Sequence, residues 1–360
     1  MAKAYLILAN GDVYSGESIG AEGESIGEAV FTTGMGAYME TLTDPSYYGQ
    51  IITQTFPLIG NYGQISADDE SENPALFGYV VRELCPCGSN FRKERELNDF
   101  LVEHGIVGIS GVDTRQITRT LRTVGVMNAM ITPSLKDKEA KLARIKAFKV
   151  KGAVEHTTCK NAVTVSNGDK RIVLWDFGAK SNIERELSRR GCEVIRVPSF
   201  YTADQILALK PDGIMLSNGG GNPADNVTVI EELKKLCEHK IPTFGICLGH
   251  QLLALAMGGR TKKLKFGHRG ANQPVKDLTT GRTYITSQNH GYAVVASALP
   301  ENAKVLFTNA NDKTCEGVEY TGAPFFSVQF HPEACGGPHD TGFLFDRFME
   351  MIDKGGVEHA

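Results

Sequence analysis

Short segments of alternating apolar and polar residues dominate the first half of the chain and predict strands separated by loops. They are Ala4 to Leu8, Val30 to Thr33 and Ile51 to Phe56, before Pro57. Amphipathic or capped segments predict three helices: Arg92 to Glu103, Asp113 to about Arg122, and the lysine-rich Ser134 to Phe148. The alternating charges of the last one favour a solvated surface helix. We therefore expect a mixed α+β domain over residues 1–150.

The apolar periodicity disappears between about residues 151 and 170. Turn-forming residues are frequent there, as in Thr157-Thr-Cys-Lys-Asn161 and Ser166-Asn-Gly-Asp169. Because domain boundaries fall in such polar segments, we expect an inter-domain linker over 151–170.

From residue 171 onward, apolar strand-like runs alternate with helical segments. The strand-like runs are Ile172 to Trp175, Val194 to Val197, Gly213 to Leu216 and Pro242 to Ile246. Of the helices between them, the first two are predicted to begin with capping motifs at Ser181 and Thr202. The third is predicted to begin at Val227. This order predicts an α/β fold over 171–360, a mostly parallel sheet with helices on both faces. Antiparallel strands should follow Met257, and a helix from Thr341 to Ile352 should close the domain.

The composition is that of a globular protein with little net charge. Of 360 residues, 41% are hydrophobic and 22% charged, and 38 Lys and Arg face 42 Asp and Glu. A charge of −4 disfavours a nucleic-acid partner. No apolar run reaches membrane-spanning length, and the apolar start ends too soon at Gly11-Asp12 for a secretory signal. We expect a cytoplasmic protein with no membrane partner.

Eight cysteines are present, with no CxxC pair. This spacing predicts neither a zinc site nor a disulfide framework, so we expect no metal site and interpret most cysteines as small buried residues in a reducing compartment. A phosphate-binding loop is also missing, because Gly219-Gly-Gly221 lacks the rest of a dinucleotide fingerprint. The chain should bind no cofactor of its own.

Cys247 is the exception among the cysteines. It stands in Gly245-Ile-Cys247-Leu-Gly249-His-Gln251, between the fourth predicted strand and an apolar helix. This is the nucleophile-elbow pattern with cysteine in place of serine, and a helix N-terminus favours the thiolate. The alternative is a buried cysteine at a glycine-rich turn.

A base for this nucleophile is available at His331-Pro-Glu333, which follows a strand-like run. On an extended chain, residues i and i+2 face the same way, so Glu333 could orient the imidazole of His331. A His-Pro-Glu turn alone could equally be structural. Oxyanion donors could come from the N–H of Leu248 and from Gly219 and Gly221, although those glycines could also form a plain flexible turn.

With these motifs, residues 171–360 resemble the class I, triad-type glutamine amidotransferases. The first half narrows the resemblance, since three of its segments are similar to the N-terminal domain of the carbamoyl-phosphate synthetase small-subunit family. They are Thr41-Leu-Thr-Asp-Pro-Ser-Tyr47, Ile59-Gly-Asn-Tyr-Gly63 and Ser110-Gly-Val-Asp-Thr-Arg-Gln-Ile-Thr-Arg119.

The resemblance implies hydrolysis of L-glutamine and delivery of ammonia to a large subunit. That subunit would use ATP, magnesium and bicarbonate to make carbamoyl phosphate for arginine or pyrimidine synthesis. Cys247 would be the nucleophile, His331 the base and proton donor, and Glu333 its orienting group. Glutamine contacts are implied at Ser46, Gly219, Gly221, Leu248, Gln251, Asn289, Gly291 and Tyr292. Ser46 implies that the N-terminal domain reaches over the site, and Asn289 to Tyr292 would otherwise be interpreted as a turn.

Some positions depart from the family pattern. Gly219-Gly-Gly-Asn-Pro223 stands where Gly-Pro-Gly-Asp-Pro is usual, which implies a looser oxyanion loop. Tyr292 replaces a common Phe, and Gly36-Ala-Tyr38 replaces Thr-Gly-Tyr. Three other functions stay open: the glutaminase component of a different amidotransferase, a γ-glutamyl hydrolase or cysteine peptidase, and a non-catalytic regulatory module.

Overall fold

A computed structural model describes residues 2–334 and 336–355. The chain divides into two compact units, Met1–Ala153 and Val154–Ala360. The predicted linker over 151–170 differs from this division, because a helix at Ala153–Thr157 and a strand at Val163–Ser166 occupy much of it. Within the described residues that strand is an edge strand, paired with Cys192–Pro198 alone. It is largely exposed, so it lacks the apolar alternation that would have revealed it.

The first unit contains nine strands and four helices among its described residues. The strands are β1 Lys3–Leu8, β2 Val13–Gly20, β3 Ser25–Thr32, β4 Gln50–Gln54, β5 Leu58–Ile59, β6 Gly78–Val80, β7 Glu83–Leu84, β8 Val107–Ser110 and β9 Met127–Thr132. The helices are α1 Tyr38–Thr43, α2 Leu97–Glu103, α3 Thr114–Val124 and α4 Lys138–Ala147.

Seven of these strands close into a barrel in the order β1-β2-β8-β6-β4-β3-β9. The neighbours β3, β4, β6 and β8 run parallel, and the other pairs are antiparallel. A core cluster joins Val30 and Ile52 of the barrel to Tyr38 of α1 and Phe100 of α2. This is the expected mixed α+β architecture, assembled largely from strands distant in sequence.

Two helices of this unit differ from the sequence prediction. Helix α2 begins at Leu97 instead of Arg92, because the backbone of Glu94 and Arg95 hydrogen-bonds that of Gln64. In α4 the predicted solvated surface is interrupted at Lys141, which is buried and contacts Glu24 and Thr132. Helix α3 is confirmed, with Asp113 accepting a hydrogen bond from the N–H of Gln116 at 2.9 Å.

The second unit contains a ten-stranded sheet. Its strands are β10 Val163–Ser166, β11 Lys170–Phe177, β12 Cys192–Pro198, β13 Gly213–Gly219, β14 Thr243–Ile246, β15 Thr261–Asp277, β16 Thr283–Val294, β17 Ala303–Asn309, β18 Cys315–Tyr320 and β19 Phe325–Val328. Its helices are α5 Ala153–Thr157, α6 Ser181–Arg189, α7 Ala203–Ala208, α8 Val227–Glu238, α9 Leu248–Ala256 and α10 Phe343–Lys354.

The middle of this sheet is parallel, in the order β12-β11-β13-β14-β19, and antiparallel strands extend both edges. Separate cores lie on its two faces. Trp175 of β11 packs with α7, α8 and α9 in one core, and Leu174 packs with α6 and α10 in the other. Helices on both faces of the parallel strands confirm the predicted fold class, and they leave the strand ends at one edge open for functional side chains.

Smaller predictions have mixed outcomes. The capping box at Thr202 forms, whereas Ser181 is the first residue of α6 and does not cap it. Of the seven cysteines described, all free, Cys192, Cys247 and Cys315 are buried but Cys87 is exposed. Cys335 lies outside the described residues. Among the helices of the described chain, none is long and apolar enough to cross a bilayer.

Candidate active site

Cys247 lies at the end of β14, between the parallel neighbours β13 and β19. It precedes α9 with φ 53° and ψ −101°, a positive φ that residues other than glycine rarely adopt. The flanking glycines serve close packing instead: a Cβ at Gly249 would come within 2.3 Å of the carbonyl oxygen of Leu216. The strand–turn–helix geometry of an elbow is therefore present, and its positive φ falls on the cysteine itself.

His331 and Glu333 form a buried pair beyond the end of β19. Nδ1 of His331 lies 2.6 Å from Oε1 of Glu333, and the two residues are 1% and 3% exposed. The geometry differs from the predicted extended chain, since residues 332 and 333 form a turn and His331 donates its backbone N–H to the carbonyl of Ser287 at 2.9 Å. The carboxylate therefore reaches the imidazole as predicted, but through a turn and not through the alternation of side chains along a strand.

The charges around this pair favour an imidazolium–carboxylate arrangement. Burial and the nearby Lys180 both oppose protonation of His331, but Glu333 and the sulfur of Cys247 outweigh them and raise its pKa to about 10. Burial also opposes the charged form of Glu333, yet His331 and Lys180 hold its pKa below the ordinary value. The carboxylate of Glu333 therefore holds Nδ1 of the His331 ring, and Nε2, which has no hydrogen-bond partner in the described chain, is the nitrogen left for the sulfur of Cys247.

The glycine loop follows directly from β13. Gly219 is the last residue of the strand, and a Cβ there would lie 2.3 Å from the carbonyl oxygen of Phe177 and 2.7 Å from Cδ2 of Leu248. Gly221 has φ +86°, which favours glycine. Leu248 is the first residue of α9. Because Gly219 packs against Leu248, the structure brings these two predicted oxyanion residues together.

Two other predicted contacts lie at the cysteine. Sγ of Cys247 lies 3.6 Å from the backbone oxygen of Asn289. The Nε2 group of Gln251, one turn along α9, donates to the carbonyl of Tyr292 at 2.8 Å and to Oε1 of Gln329 at 2.8 Å. Both amide protons of Gln251 are therefore used within the protein, which leaves its carbonyl oxygen to accept a hydrogen bond from a substrate.

Residues 289–292 lie inside β16 and not in the turn expected from their composition. Asn289 pairs with Arg269 of β15. Gly291 lies beside the same arginine, since a Cβ there would be 3.4 Å from its Nη2. The structure thus places Gly291 and Tyr292 on the strand that carries Asn289.

Ser46 lies in the first unit, in a 3-10 turn at Pro45–Tyr47. It is buried, and its N–H donates to Oδ1 of Asp44 at 2.8 Å. Its contact with glutamine stays a prediction.

Three buried polar residues near the pair were missed from the sequence. Lys180 acts on the charges of both His331 and Glu333. Asn182 donates from Nδ2 to the backbone oxygen of Glu333 at 3.0 Å, and Gln329 accepts from Gln251. Gln329 could have been found, because it lies two residues before His331. Asn182 lies in α6 and Lys180 immediately precedes that helix. Both are distant in sequence from the pair, and neither carried a signal of a role at the site.

A thiol beside an imidazole that a carboxylate orients is an arrangement suited to acyl transfer. The thiol can attack a carbonyl carbon, the imidazole can move a proton, and the start of α9 offers N–H groups for an oxyanion.

Comparison with known proteins identifies the family. A model of the class I glutamine amidotransferases matches residues 173–351, and a model of the carbamoyl-phosphate synthase small chain, CPSase domain, matches residues 6–131. The carbamoyl phosphate synthase small chain of Listeria monocytogenes is 50% identical over 98% of both chains. The chain belongs to the carbamoyl phosphate synthase small-chain family.

Two more members of the small-chain family support this assignment. The small chain of Oceanobacillus iheyensis is 49% identical over 100% of this chain and 99% of its own length. The pyrimidine-specific small chain of Bacillus subtilis is 49% identical over 98% of this chain and 96% of its own length. The two family models fall within the two units of the structure, and they confirm the expected enzyme class, a glutamine-hydrolysing carbamoyl phosphate synthase small subunit.

Proposed function

We propose that the chain hydrolyses L-glutamine through a thioester on Cys247 and passes the ammonia to a large carbamoyl phosphate synthase subunit. The observation that carries the chemistry is the 2.6 Å contact of His331 with Glu333, in a pair that interacts with the strained Cys247. The family assignment supports the substrate and the type of partner.

In the first half of the reaction, His331 takes the thiol proton of Cys247 as the sulfur attacks the side-chain amide carbon of glutamine. The negative charge on the amide oxygen is held by the N–H of Leu248 and by the loop at Gly219 and Gly221. His331 gives a proton to the nitrogen, the carbon–nitrogen bond breaks, and ammonia leaves a thioester behind. Water then attacks the thioester, His331 takes a proton from the water, and glutamate is released as the thiol re-forms.

The remaining contacts hold the substrate. Gln251 offers its amide oxygen, which suits the α-ammonium group of glutamine, and Asn289, Gly291 and Tyr292 form the neighbouring strand segment.

The partner supplies the rest of the synthesis. We propose that ATP, magnesium and bicarbonate bind to the large subunit, and that this chain acts in the cytoplasm without a cofactor. The pyrimidine-specific relative favours a role in pyrimidine synthesis, and a role in arginine synthesis is the alternative.

Labelling with a diazo-ketone analogue of glutamine tests the site. We expect one label per chain, located on Cys247 by peptide mass spectrometry, with protection by glutamine. Labelling of Cys87, which is exposed, without labelling of Cys247 would contradict the proposal, and so would the absence of labelling. The variant Cys87→Ser is the matched control and should label as the parent protein does.

A product assay separates the proposed reaction from its alternative on the same fold. We expect ammonia release from free glutamine and little hydrolysis of γ-glutamyl peptides. The opposite preference would indicate a γ-glutamyl hydrolase. Co-purification with a large ATP-binding chain from the native cell would support the partner, whereas a different synthetase in its place would indicate another amidotransferase.

A further inference from the structure

A second cluster of buried titratable side chains lies in the antiparallel part of the second unit. It consists of His268 on β15, His290 on β16 and Glu316 on β18, which are 8%, 5% and 0% exposed. One nitrogen or oxygen atom from each lies within 4.8 Å of the others. The two histidines are direct cross-strand partners, and their rings meet edge-on with centroids 4.8 Å apart. None of the three belongs to the Cys247–His331–Glu333 group.

In each histidine, the ring nitrogen that points away from the cluster lies within hydrogen-bond distance of an acceptor. Nε2 of His268 lies 2.9 Å from Oδ2 of Asp312, and Nδ1 of His290 lies 2.7 Å from the backbone oxygen of Tyr292. Histidines that bind metals commonly donate their second N–H to a carboxylate or a backbone carbonyl in this way. The arrangement leaves Nδ1 of His268 and Nε2 of His290 as the inner atoms of the cluster.

In the described chain, neither inner nitrogen, Nδ1 of His268 or Nε2 of His290, receives a hydrogen bond. Because a carbonyl only accepts, Nδ1 of His290 carries the proton, and Nε2 of the neutral ring presents a lone pair to Oε1 of Gln288 at 3.1 Å. Rotating the Gln288 amide so that its NH₂ group faces His290 would turn its oxygen toward Glu316 and Thr286. Both residues now accept hydrogen bonds from that NH₂ group at 3.1 Å, so the rotation would place two acceptors, the Gln288 oxygen and the Glu316 carboxylate, against each other. Nδ1 of His268 has no hydrogen-bond partner in the described chain and lies 3.4 Å from Oε1 of Glu316.

We propose that Nδ1 of His268, Nε2 of His290 and a carboxylate oxygen of Glu316 bind one divalent transition-metal ion. Two imidazoles and a carboxylate are ligands typical of Zn²⁺, with Oε1 of Gln288 or a water molecule as the fourth. Ligand atoms around tetrahedral zinc lie about 3.4 Å apart, given bond lengths near 2.1 Å, so small side-chain rotations would close the site. The sequence predicted no metal site because these ligands come from three strands with no short spacing.

The ion would join β15, β16 and β18. Strand β16 also carries Asn289, whose backbone oxygen faces the sulfur of Cys247. The metal would therefore hold the strand beside the nucleophile in register. The inference does not depend on the proposed reaction.

The test uses the full chain with Cys247→Ser, so that the active-site thiol cannot bind the added metal. After treatment with a chelator, the protein is titrated with Co²⁺ and the visible absorption bands of the cobalt are followed; Zn²⁺ is then added. We expect one equivalent of Co²⁺ with bands of tetrahedral type, displacement by Zn²⁺, and a higher Tm with either metal. Failure to bind one equivalent at micromolar concentrations would overturn the proposal.

Variants in the same background locate the ion. His268→Gln and Glu316→Gln should each weaken binding at least about 100-fold, and Asp312→Asn about tenfold through the outer contact of His268. His239→Gln, at an exposed position, is the control and should bind as the parent does. Unchanged affinity in folded ligand variants would overturn the assignment and favour an ion pair of His268 with Glu316 and Asp312.

If the ligand variants do not fold, X-ray absorption spectroscopy of the zinc-loaded Cys247→Ser protein decides the question. Two imidazoles and further oxygen ligands, without sulfur, are the expected coordination. A sulfur ligand, or fewer than two imidazoles, would overturn the proposal.

Discussion

At Cys247 the backbone is held at φ 53° and ψ −101°. Conformations of this kind cost of order 1–3 kcal/mol for a residue other than glycine, and they persist only where the surroundings enforce them. Here Ile246 before the cysteine and Leu252 after it are completely buried in separate cores. The anchored strand and helix therefore hold the sulfur at the open end of the sheet.

Replacing this sulfur should remove activity and leave the fold. For Cys247→Ser we expect glutamine hydrolysis to fall below a few per cent of the parent rate, because the hydroxyl is a far weaker nucleophile at this position. Glutamine should still bind, which calorimetry would measure beside an ammonia assay. Activity above a few per cent in a preparation free of contaminants would contradict the role of Cys247.

Substitutions of His331 and Glu333 should reduce the turnover rate by different amounts. Glu333→Ala should reduce kcat less than His331→Ala, because an imidazole without its carboxylate can still transfer protons, whereas nothing replaces a missing imidazole. Steady-state kinetics on glutamine measures both. Equal losses would show that Glu333 is misassigned as an orienting group.

The same pair should make stability depend on pH. The pKa of His331 is about 10 in the folded chain, above the roughly 6.5 of a free histidine. A folded-state pKa raised in this way contributes stability that is complete below about pH 6.5 and is lost as the pH rises toward 10.

Glu333→Gln should therefore flatten the decline of Tm between about pH 7 and 9.5, since the carboxylate that retains the proton is gone. Differential scanning calorimetry across that range measures the effect. His239→Gln, at an exposed position, is the control and should follow the parent curve. An unchanged slope in the Glu333 variant would mean that the carboxylate does not hold the proton on His331.

At the scale of elements, the junction of β14 and α9 depends on a glycine that admits close contact. A Cβ at Gly249 would lie 2.3 Å from the carbonyl oxygen of Leu216 in β13, so α9 would have to move away from the sheet. We expect Gly249→Ala to lower the free energy of unfolding by about 1–3 kcal/mol and to reduce activity, because Leu248 moves with the helix.

Urea unfolding and glutaminase kinetics measure both effects. Gly342→Ala is the control within the same unit, since its backbone has φ −59° and its nearest neighbour would be 3.6 Å away. A variant Gly249→Ala as stable as this control would show that α9 can shift without cost.

Some elements could be predicted because their signals are local. The strand, cysteine and helix of the elbow are consecutive in sequence, and His331 and Glu333 are only two residues apart. The position of Asn289 could not be predicted, since glycine and asparagine suggest a turn and pairing with the distant strand β15 makes the segment a strand. Similarly, α2 loses its first turn to pairing with Gln64, about thirty residues earlier in the chain.

At the scale of the molecule, the second unit was predictable in outline and the first was not. Alternating strands and helices determine a parallel sheet because each βαβ crossover is local and has one favoured hand. The barrel of the first unit instead depends on parallel pairing of β3, β4, β6 and β8, which are separated by long segments. Periodicity located β1, β3 and β4, but neither the other barrel strands nor the order of the strands could be predicted.

The proposed division of labour between two subunits leads to the final prediction. In this proposal the chain supplies a nucleophile, a base and oxyanion donors, and another subunit uses the nitrogen that is released. Alone it should hydrolyse glutamine slowly, because the loop at Gly219 and Gly221 lacks the proline usual in the family and can populate other conformations. Adding the large subunit should raise the rate by favouring the competent conformation.

In the complex, Cys247→Ser should stop carbamoyl phosphate synthesis from glutamine and leave synthesis from added ammonium salts near the parent rate. Free ammonia bypasses the blocked hydrolysis, so only the nitrogen source should matter. The control is the parent complex supplied with each nitrogen source in turn. Carbamoyl phosphate is converted to a stable product and quantified. A mutant complex inactive with both sources would give Cys247 a structural or coupling role and refute the separation of glutaminase from synthetase.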